Sequence, residues 1–168
     1  MKEICLIRHA KSSWDDPLLA DFDRPLNERG KKDAPRMAKR FKEREIALDL
    51  LYTSPARRAR KTCRLFAKVL GFSKSAIRLE EGLYHAGEDT LMRFVLGLDD
   101  KQDTVAIFGH NPGLTEFANL LTHSGIVNIP TTGIVHIRFA VNRWKDILPG
   151  KGKVVFFDFP KKHDRKEK

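Results

Sequence analysis

The sequence predicts an α/β fold: a three-layer sandwich with a mostly parallel central sheet and helices on both faces. Three observations lead there. Short apolar runs such as Ile4–Ile7 and Thr104–Phe108 are almost continuous in apolarity, as strands buried on both faces of a parallel sheet are. Between such runs lie longer stretches with apolar residues at helical spacing. The alternation of strand and helix ends with two strands in succession, which adds an antiparallel element late in the chain.

Taken in order, the first expected strand covers Glu3 to Arg8. Residues 11–27 then form a loop with Pro17, Pro25 and several Asp, long enough to serve a function rather than merely connect. Asn27 is placed to cap a helix from Glu28 to about Glu45, with Ala34, Met37, Ala38 and Phe41 on one face. Pro35 argues against it, because an interior proline removes a hydrogen bond and tends to kink a helix. A second strand is expected over Leu48 to Thr53. Ser54-Pro55 reads as an N-cap followed by a first helical residue, and that helix should stop at Gly71. Ile77 to Leu79 makes a short strand, Thr90 to Leu98 a helix, and Thr104 to Phe108 a buried strand. Gly109-His110-Asn111-Pro112-Gly113 breaks the chain before a helix over Leu114 to Leu121. Strands over Ile134 to Val141 and Lys153 to Phe159 complete the pattern. One domain over residues 1–160 is expected, followed by a basic, disordered tail over 161–168.

The bulk properties narrow the function. The chain has 168 residues and is 41% hydrophobic, which suits one globular domain with a sizeable core. No apolar run approaches the roughly 20 residues of a membrane helix, and the Met1-Lys2-Glu3 start lacks a signal-peptide layout. Two cysteines, Cys5 and Cys63, both in apolar periodic segments, read as buried thiols rather than a disulfide framework. A cytoplasmic protein is expected. The net charge of +10 raises nucleic acid as a partner. A basic nucleic-acid-binding module would interleave aromatics with its cations, however, and the Arg57 to Arg64 cluster does not. Part of the charge also sits in the last eight residues, which hold five Lys/Arg against two acids.

Chemistry gathers where strands end. Ile7 gives way to Arg8-His9, Thr53 to Ser54-Pro55 and the Arg57-Arg58 pair, and Phe108 to Gly109-His110. In open α/β sheets, ligands bind at the carboxyl ends of the strands. If these strands are parallel, two histidines and two arginines meet at one edge. Guanidinium forks and helix N-termini there would hold a phosphate. Each piece alone has a plainer reading: surface polarity for Arg-His, a solvated helix face for Arg57 to Arg64, a turn for Gly109 to Gly113. The coincidence of three strand ends outweighs those readings. His85, His123, His136 and His163 are given no role.

The stretches LIRHAKSSW, DFDRPLNERGKKDA, SPARRARKT and FGHNPGLTE, in that order, resemble the histidine phosphatase superfamily, and within it the phosphohistidine phosphatase SixA-type branch. The resemblance runs over nearly the whole chain. Arg-His-Gly is the commoner superfamily signature; Ala10 in its third place is typical of this branch. The resemblance implies a phosphoglycerate mutase-like fold and a catalytic set. His9 matches the nucleophile that takes the phosphoryl group. Arg8 and Arg58 match the arginines that bind phosphate, and His110 matches the second histidine that hydrogen-bonds the transferring group. Such chemistry needs no metal and no cofactor: a neutral imidazole is a competent nucleophile near pH 7, and fixed cations stabilise the spreading charge of a phosphoryl transition state.

The general acid is the open position. Related enzymes place a glutamate in the middle of the chain, where this sequence has LEEGLYHAGED. Glu81 is the positional candidate, then Glu80, with Glu88 and Asp89 weaker; each also reads as a surface carboxylate. An imidazole leaving group, with a pKa near 6.5, needs little help to leave. The expected substrate is therefore phosphohistidine on a protein, such as a histidine phosphotransfer or signalling protein. The alternative is a small phosphorylated metabolite, cleaved by a phosphomonoesterase of the same superfamily. Phosphate or sulfate should occupy the pocket, and neither nucleic acid nor membrane is an expected partner.

Overall fold

The computed structural model describes residues 1–162. Six strands form one sheet: β1 (Lys2–Arg8), β2 (Leu50–Thr53), β3 (Ile77–Leu79), β4 (Thr104–Gly109), β5 (Ile134–Phe139) and β6 (Lys153–Asp158). Their order is β3-β2-β4-β1-β5-β6. β1 to β4 are mutually parallel, and β5 runs against both β1 and β6. Five strands thus share one direction, with the antiparallel element where the two last strands follow each other without a helix.

Four helices cover the two faces: α1 (Glu28–Glu43), α2 (Arg57–Leu70), α3 (Glu88–Leu96) and α4 (Gly113–Thr122). Alternation along each strand explains the layers. In β1, Ile4 and Leu6 enter a core with Leu91 and Val95 of α3 and Leu114, Phe117 and Leu121 of α4. Cys5 and Ile7 enter the opposite core, with Met37 and Phe41 of α1 and Cys63 and Phe66 of α2. A run with both sets of side chains buried has to be apolar throughout, which is what the sequence shows.

Three local expectations change. α1 runs through Pro35. Fully burying Met37 and Phe41 is worth about 1.5–3 kcal/mol each, enough to offset the roughly 3 kcal/mol of an interior proline. The Asn27 cap forms as expected, its side chain accepting from Gly30 N at 2.8 Å. α2 begins at Arg57 rather than at Pro55, and its N-cap position is Ala56. Ser54 Oγ accepts from Ala56 N at 3.2 Å, a local turn that keeps Pro55-Ala56 out of the helix. Of the expected tail, residues 163–168 lie outside the described residues. Lys161 and Lys162 belong to a 3-10 turn, Pro160–Lys162, held to α1 by Arg36 Nη2 donating to Pro160 O at 2.9 Å.

What positions a site is the register. Arg8 lies opposite Gly109, and Thr53 lies opposite Phe108. The ladder continues one residue further on both sides of β4, with His9 N donating to Gly109 O at 3.1 Å and Ser54 N to Phe108 O at 3.0 Å. Three carboxyl ends therefore finish level, and their polar residues emerge together.

Candidate active site

His9 leaves the end of β1 and is 7% exposed. Its backbone is fixed from several directions. Ala10 N donates to Thr62 Oγ1 at 2.9 Å, and that hydroxyl donates to Arg58 O at 2.7 Å. Asn27 N donates to Lys11 O at 3.0 Å. Gly30 makes this approach possible, since a Cβ there would lie 2.1 Å from Lys11 O. The ring is oriented too: His9 Nδ1 lies 2.8 Å from Ala10 O. A carbonyl can only accept, so Nδ1 carries the proton and Nε2 keeps its lone pair. Burial is the main cause that pushes the His9 pKa down to about 3, opposed by the Ala10 bond and reinforced by His110, Arg58 and Arg8. The imidazole is uncharged near neutral pH.

Arg58, in the first turn of α2, points its Nε at His9 Nε2 across 3.4 Å. Its other two nitrogens are used by the 3-10 turn Asp21–Asp23: Nη1 donates to Asp21 O at 2.7 Å and Nη2 to Asp21 Oδ2 at 3.0 Å. Tyr84 Oη also donates to Asp21 Oδ2, at 2.5 Å. Partial desolvation acts to raise the Asp21 pKa, but the bonds from Tyr84 and Arg58 prevail and hold the carboxyl well below its usual range. Asp21 is anchored through its own loop. Arg24 reaches Asp21 Oδ1 at 3.2 Å, Ser13 O at 3.0 Å and Ser12 Oγ at 2.6 Å.

Arg8 donates from Nη1 to Ile129 O at 3.0 Å, while its Nε is buried without a protein partner. His110, past the end of β4, has its ring centroid 5.2 Å from that of His9. His110 Nε2 lies 2.7 Å from Ser54 Oγ, and its Nδ1 has no protein partner. Burial, aided by the charge of Arg58 and resisted by Asp21, pushes the His110 pKa down to about 4. Beside these groups opens a cavity of about 440 Å³, with Asp21, Arg58, Tyr84, His85, His110 and Glu116 in its wall. Gly113, at the start of α4, is a further wall residue, so close to Ala86 that a Cβ would lie 2.0 Å from the Ala86 carbonyl oxygen.

The structure therefore brings Arg8, His9, Arg58 and His110 together. It does not bring Glu81 to them: that residue is exposed, in the 3-10 turn Glu81–Leu83, and is not part of the cavity wall. Glu80 follows β3, its backbone N–H donating to Thr53 O at 3.0 Å, and Glu88 and Asp89 open α3; none of the three is part of the cavity wall. The carboxylates at the cavity are Asp21 and Glu116. Reasoning from sequence missed both, along with Tyr84, the partner role of Ser54, and His85, which lines the cavity although exposed. The one signal for Asp21 was the length and acidity of the loop that carries it. Among the described residues, no group of three or more His, Cys, Asp or Glu side chains is arranged to hold a metal. No helix among them is long and apolar enough to cross a membrane.

The architecture is the phosphoglycerate mutase-like α/β sandwich, with an imidazole and guanidinium pocket at the carboxyl edge of its sheet. The model for the histidine phosphatase superfamily (branch 1) matches residues 4–87. An uncharacterized protein of Mycobacterium tuberculosis is 32% identical over 165 residues, covering 92% of this chain and 100% of that one. The crystal structure of a putative phosphohistidine phosphatase SixA from Agrobacterium tumefaciens superposes with a TM-score of 0.80 at 25% identity, covering 95% of this chain and 98% of its own. A structure of the protein histidine phosphatase SixA complexed with tungstate gives 0.79 at 17% identity, covering 94% and 97%. The chain belongs to the histidine phosphatase superfamily and is a phosphatase of SixA-type architecture.

Proposed function

We propose that the protein removes the phosphoryl group from phosphohistidine carried on another protein, through a covalent phosphohistidine of its own on His9. The observation that carries this reading is the state of His9. The ring is neutral, its proton is held on Nδ1 by Ala10 O, and its unprotonated Nε2 accepts from Arg58 Nε at 3.4 Å beside the His110 ring. In the first step the Nε2 lone pair forms a bond to phosphorus as the bond from phosphorus to the leaving nitrogen breaks. Arg8, Arg58 and His110 stabilise the charge on the equatorial oxygens. Water then attacks phosphorus, the bond to His9 breaks, and inorganic phosphate leaves with the ring restored.

The state of Asp21 supports a phosphohistidine substrate. Asp21 is kept ionised by Tyr84 and Arg58, so it has no proton to give near neutral pH. A phosphoimidazole protonated on its distal nitrogen leaves as neutral imidazole and needs none. The tungstate bound by the similar SixA structure supports a pocket suited to tetrahedral oxyanions. Glu116 at the cavity wall favours a second reading, a phosphomonoesterase, because a carboxyl there could protonate an alcohol leaving group. A substrate panel separates them: phosphohistidine protein beside phosphomonoesters, assayed with a chelator present. The proposal expects kcat/KM for phosphohistidine to lead by at least about tenfold, and the reverse order would overturn it. Loss of turnover with the chelator would overturn the metal-independent mechanism.

A further inference from the structure

α2 carries Arg57, Arg58, Arg60, Lys61, Arg64 and Lys68 and contains no Asp or Glu. Only Arg58 serves the active site. Arg57, Lys61, Arg64 and Lys68 are exposed and Arg60 is half-buried. Their three- and four-residue spacing sets them along one side of the helix. Two adjoining cavities follow this ridge. Lys31, Arg57, Arg60, Lys61 and Arg64 line the first, of about 310 Å³. Arg60 and Arg64 line the second too, with Lys74. No carboxylate and no aromatic side chain lines either. Among the described residues, Arg57, Arg60, Lys61, Arg64 and Lys74 form no ion pair, and Lys31 pairs only with exposed Glu28.

The arrangement is locally unfavourable twice over. Like charges three and four residues apart repel, and cations in the first turn of a helix oppose its dipole. A row of unpaired cations held against both effects is accounted for by an anionic partner. Its position says which one. Arg57 Nη1 donates to Asp23 O at 3.4 Å, so the ridge starts at the 3-10 turn that lays Asp21 on Arg58. From there to Lys68 it extends about 16 Å along the helix.

We propose that this ridge docks an acidic face of the phosphohistidine-bearing protein, a row of Asp and Glu beside the phosphorylated histidine, and so presents the phosphoryl group to the pocket. This rests on the phosphohistidine reading above. A protein fits better than nucleic acid, because the ridge lacks the aromatic platforms on which bases stack. Its occupant must also bring a transferable phosphoryl group to the adjoining site.

Two helical peptides provide the test, each with one phosphohistidine; one has a row of Glu at helical spacing and the other has Gln in those places. Unphosphorylated versions are titrated against the full chain by fluorescence anisotropy, which reads docking without chemistry. The Glu peptide should bind at least about tenfold more tightly than the Gln peptide at about 50 mM salt, with the advantage shrinking at about 300 mM. Lys61→Glu/Arg64→Glu should abolish the preference, and Lys61→Gln/Arg64→Gln should reduce it by an intermediate amount. The same variants should lower kcat/KM for the phosphorylated Glu peptide through KM while leaving kcat on free phosphoimidazole unchanged. Equal binding of the two peptides, a preference that survives charge reversal, or tighter binding of a single-stranded RNA of matched charge would overturn the proposal. Failure of the wild type to hydrolyse phosphoimidazole would instead overturn the phosphohistidine reading, with the binding arm still deciding the docking surface.

Discussion

Gly113→Ala tests whether the catalytic edge depends on a backbone contact between α4 and the segment that precedes α3. A Cβ at residue 113 would lie 2.0 Å from Ala86 O and 3.1 Å from Ala86 C, where real Cβ atoms essentially never come within 3.0 Å. The Cβ is fixed by the backbone that carries it and the atoms it meets are backbone, so no rotamer relieves the clash, and the two segments must separate by about 1 Å or more. Overpacking of this kind costs about 1–3 kcal/mol. In a chain of this size each kcal/mol lowers Tm by about 2–4 °C, so a fall of roughly 2–12 °C is expected. The displaced segments carry part of the cavity wall, and His110 O accepts from Leu114 N at 3.0 Å in the same turn. A misplacement near 1 Å can cost on the order of 100-fold in rate. The assay pairs thermal unfolding with turnover of a small phosphoryl donor. Gly82→Ala is the control: its Cβ would meet nothing within 4 Å, so stability should change by less than about 0.5 kcal/mol. If Gly113→Ala melted with the control and kept its kcat, the reasoning about this contact would be wrong.

Arg58→Ala should cut turnover of a small donor by on the order of 100-fold or more, whereas Arg57→Ala and Arg60→Ala should change it little; equal, modest losses for all three would point to a diffuse basic patch. His9→Ala should abolish both turnover and labelling by a phosphoryl donor, while His110→Ala slows the reaction but still allows His9 to be labelled. The label should be acid-labile and base-stable, and rapid-quench mapping to Ser12 or Ser13 would refute the covalent-histidine mechanism. Stability should fall as the solution is acidified. The folded pKa values of His9 and His110 lie at about 3 and 4, below the ordinary imidazole value of about 6.5, so the unfolded chain binds more protons below about pH 6.5. The contribution is therefore complete above that pH and is lost as pH drops toward the folded values. For His9 alone the loss between pH 6.5 and 5 is about 2 kcal/mol. Urea titrations at both pH values should show a smaller loss for His9→Gln, and an identical loss would contradict the assignment.

Much of the fold was legible because burial repeats along the chain. A strand buried on both faces must read as Ile-Cys-Leu-Ile, and a helix on a sheet must repeat its apolar residues every three or four positions. Asn27 and Gly71 marked helix ends because their side-chain and backbone chemistry is local. The meeting of Arg8-His9, Arg58 and His110 could also be anticipated, since parallel strands put their carboxyl ends on one edge, and the register of Arg8 with Gly109 and of Thr53 with Phe108 realises it. Other features depended on contacts that no periodicity encodes. Ser54 looked like a helix cap, but its hydroxyl turns to His110, 56 residues away. Asp21 gained its place through Arg58 and Tyr84, 37 and 63 residues away, and Glu81 lay outside the pocket although its position in the chain suggested otherwise. A hydrophobic repeat records which face of an element is buried. Where a loop carboxylate comes to rest is set by partners distant in the chain, and only the folded structure brings those partners together.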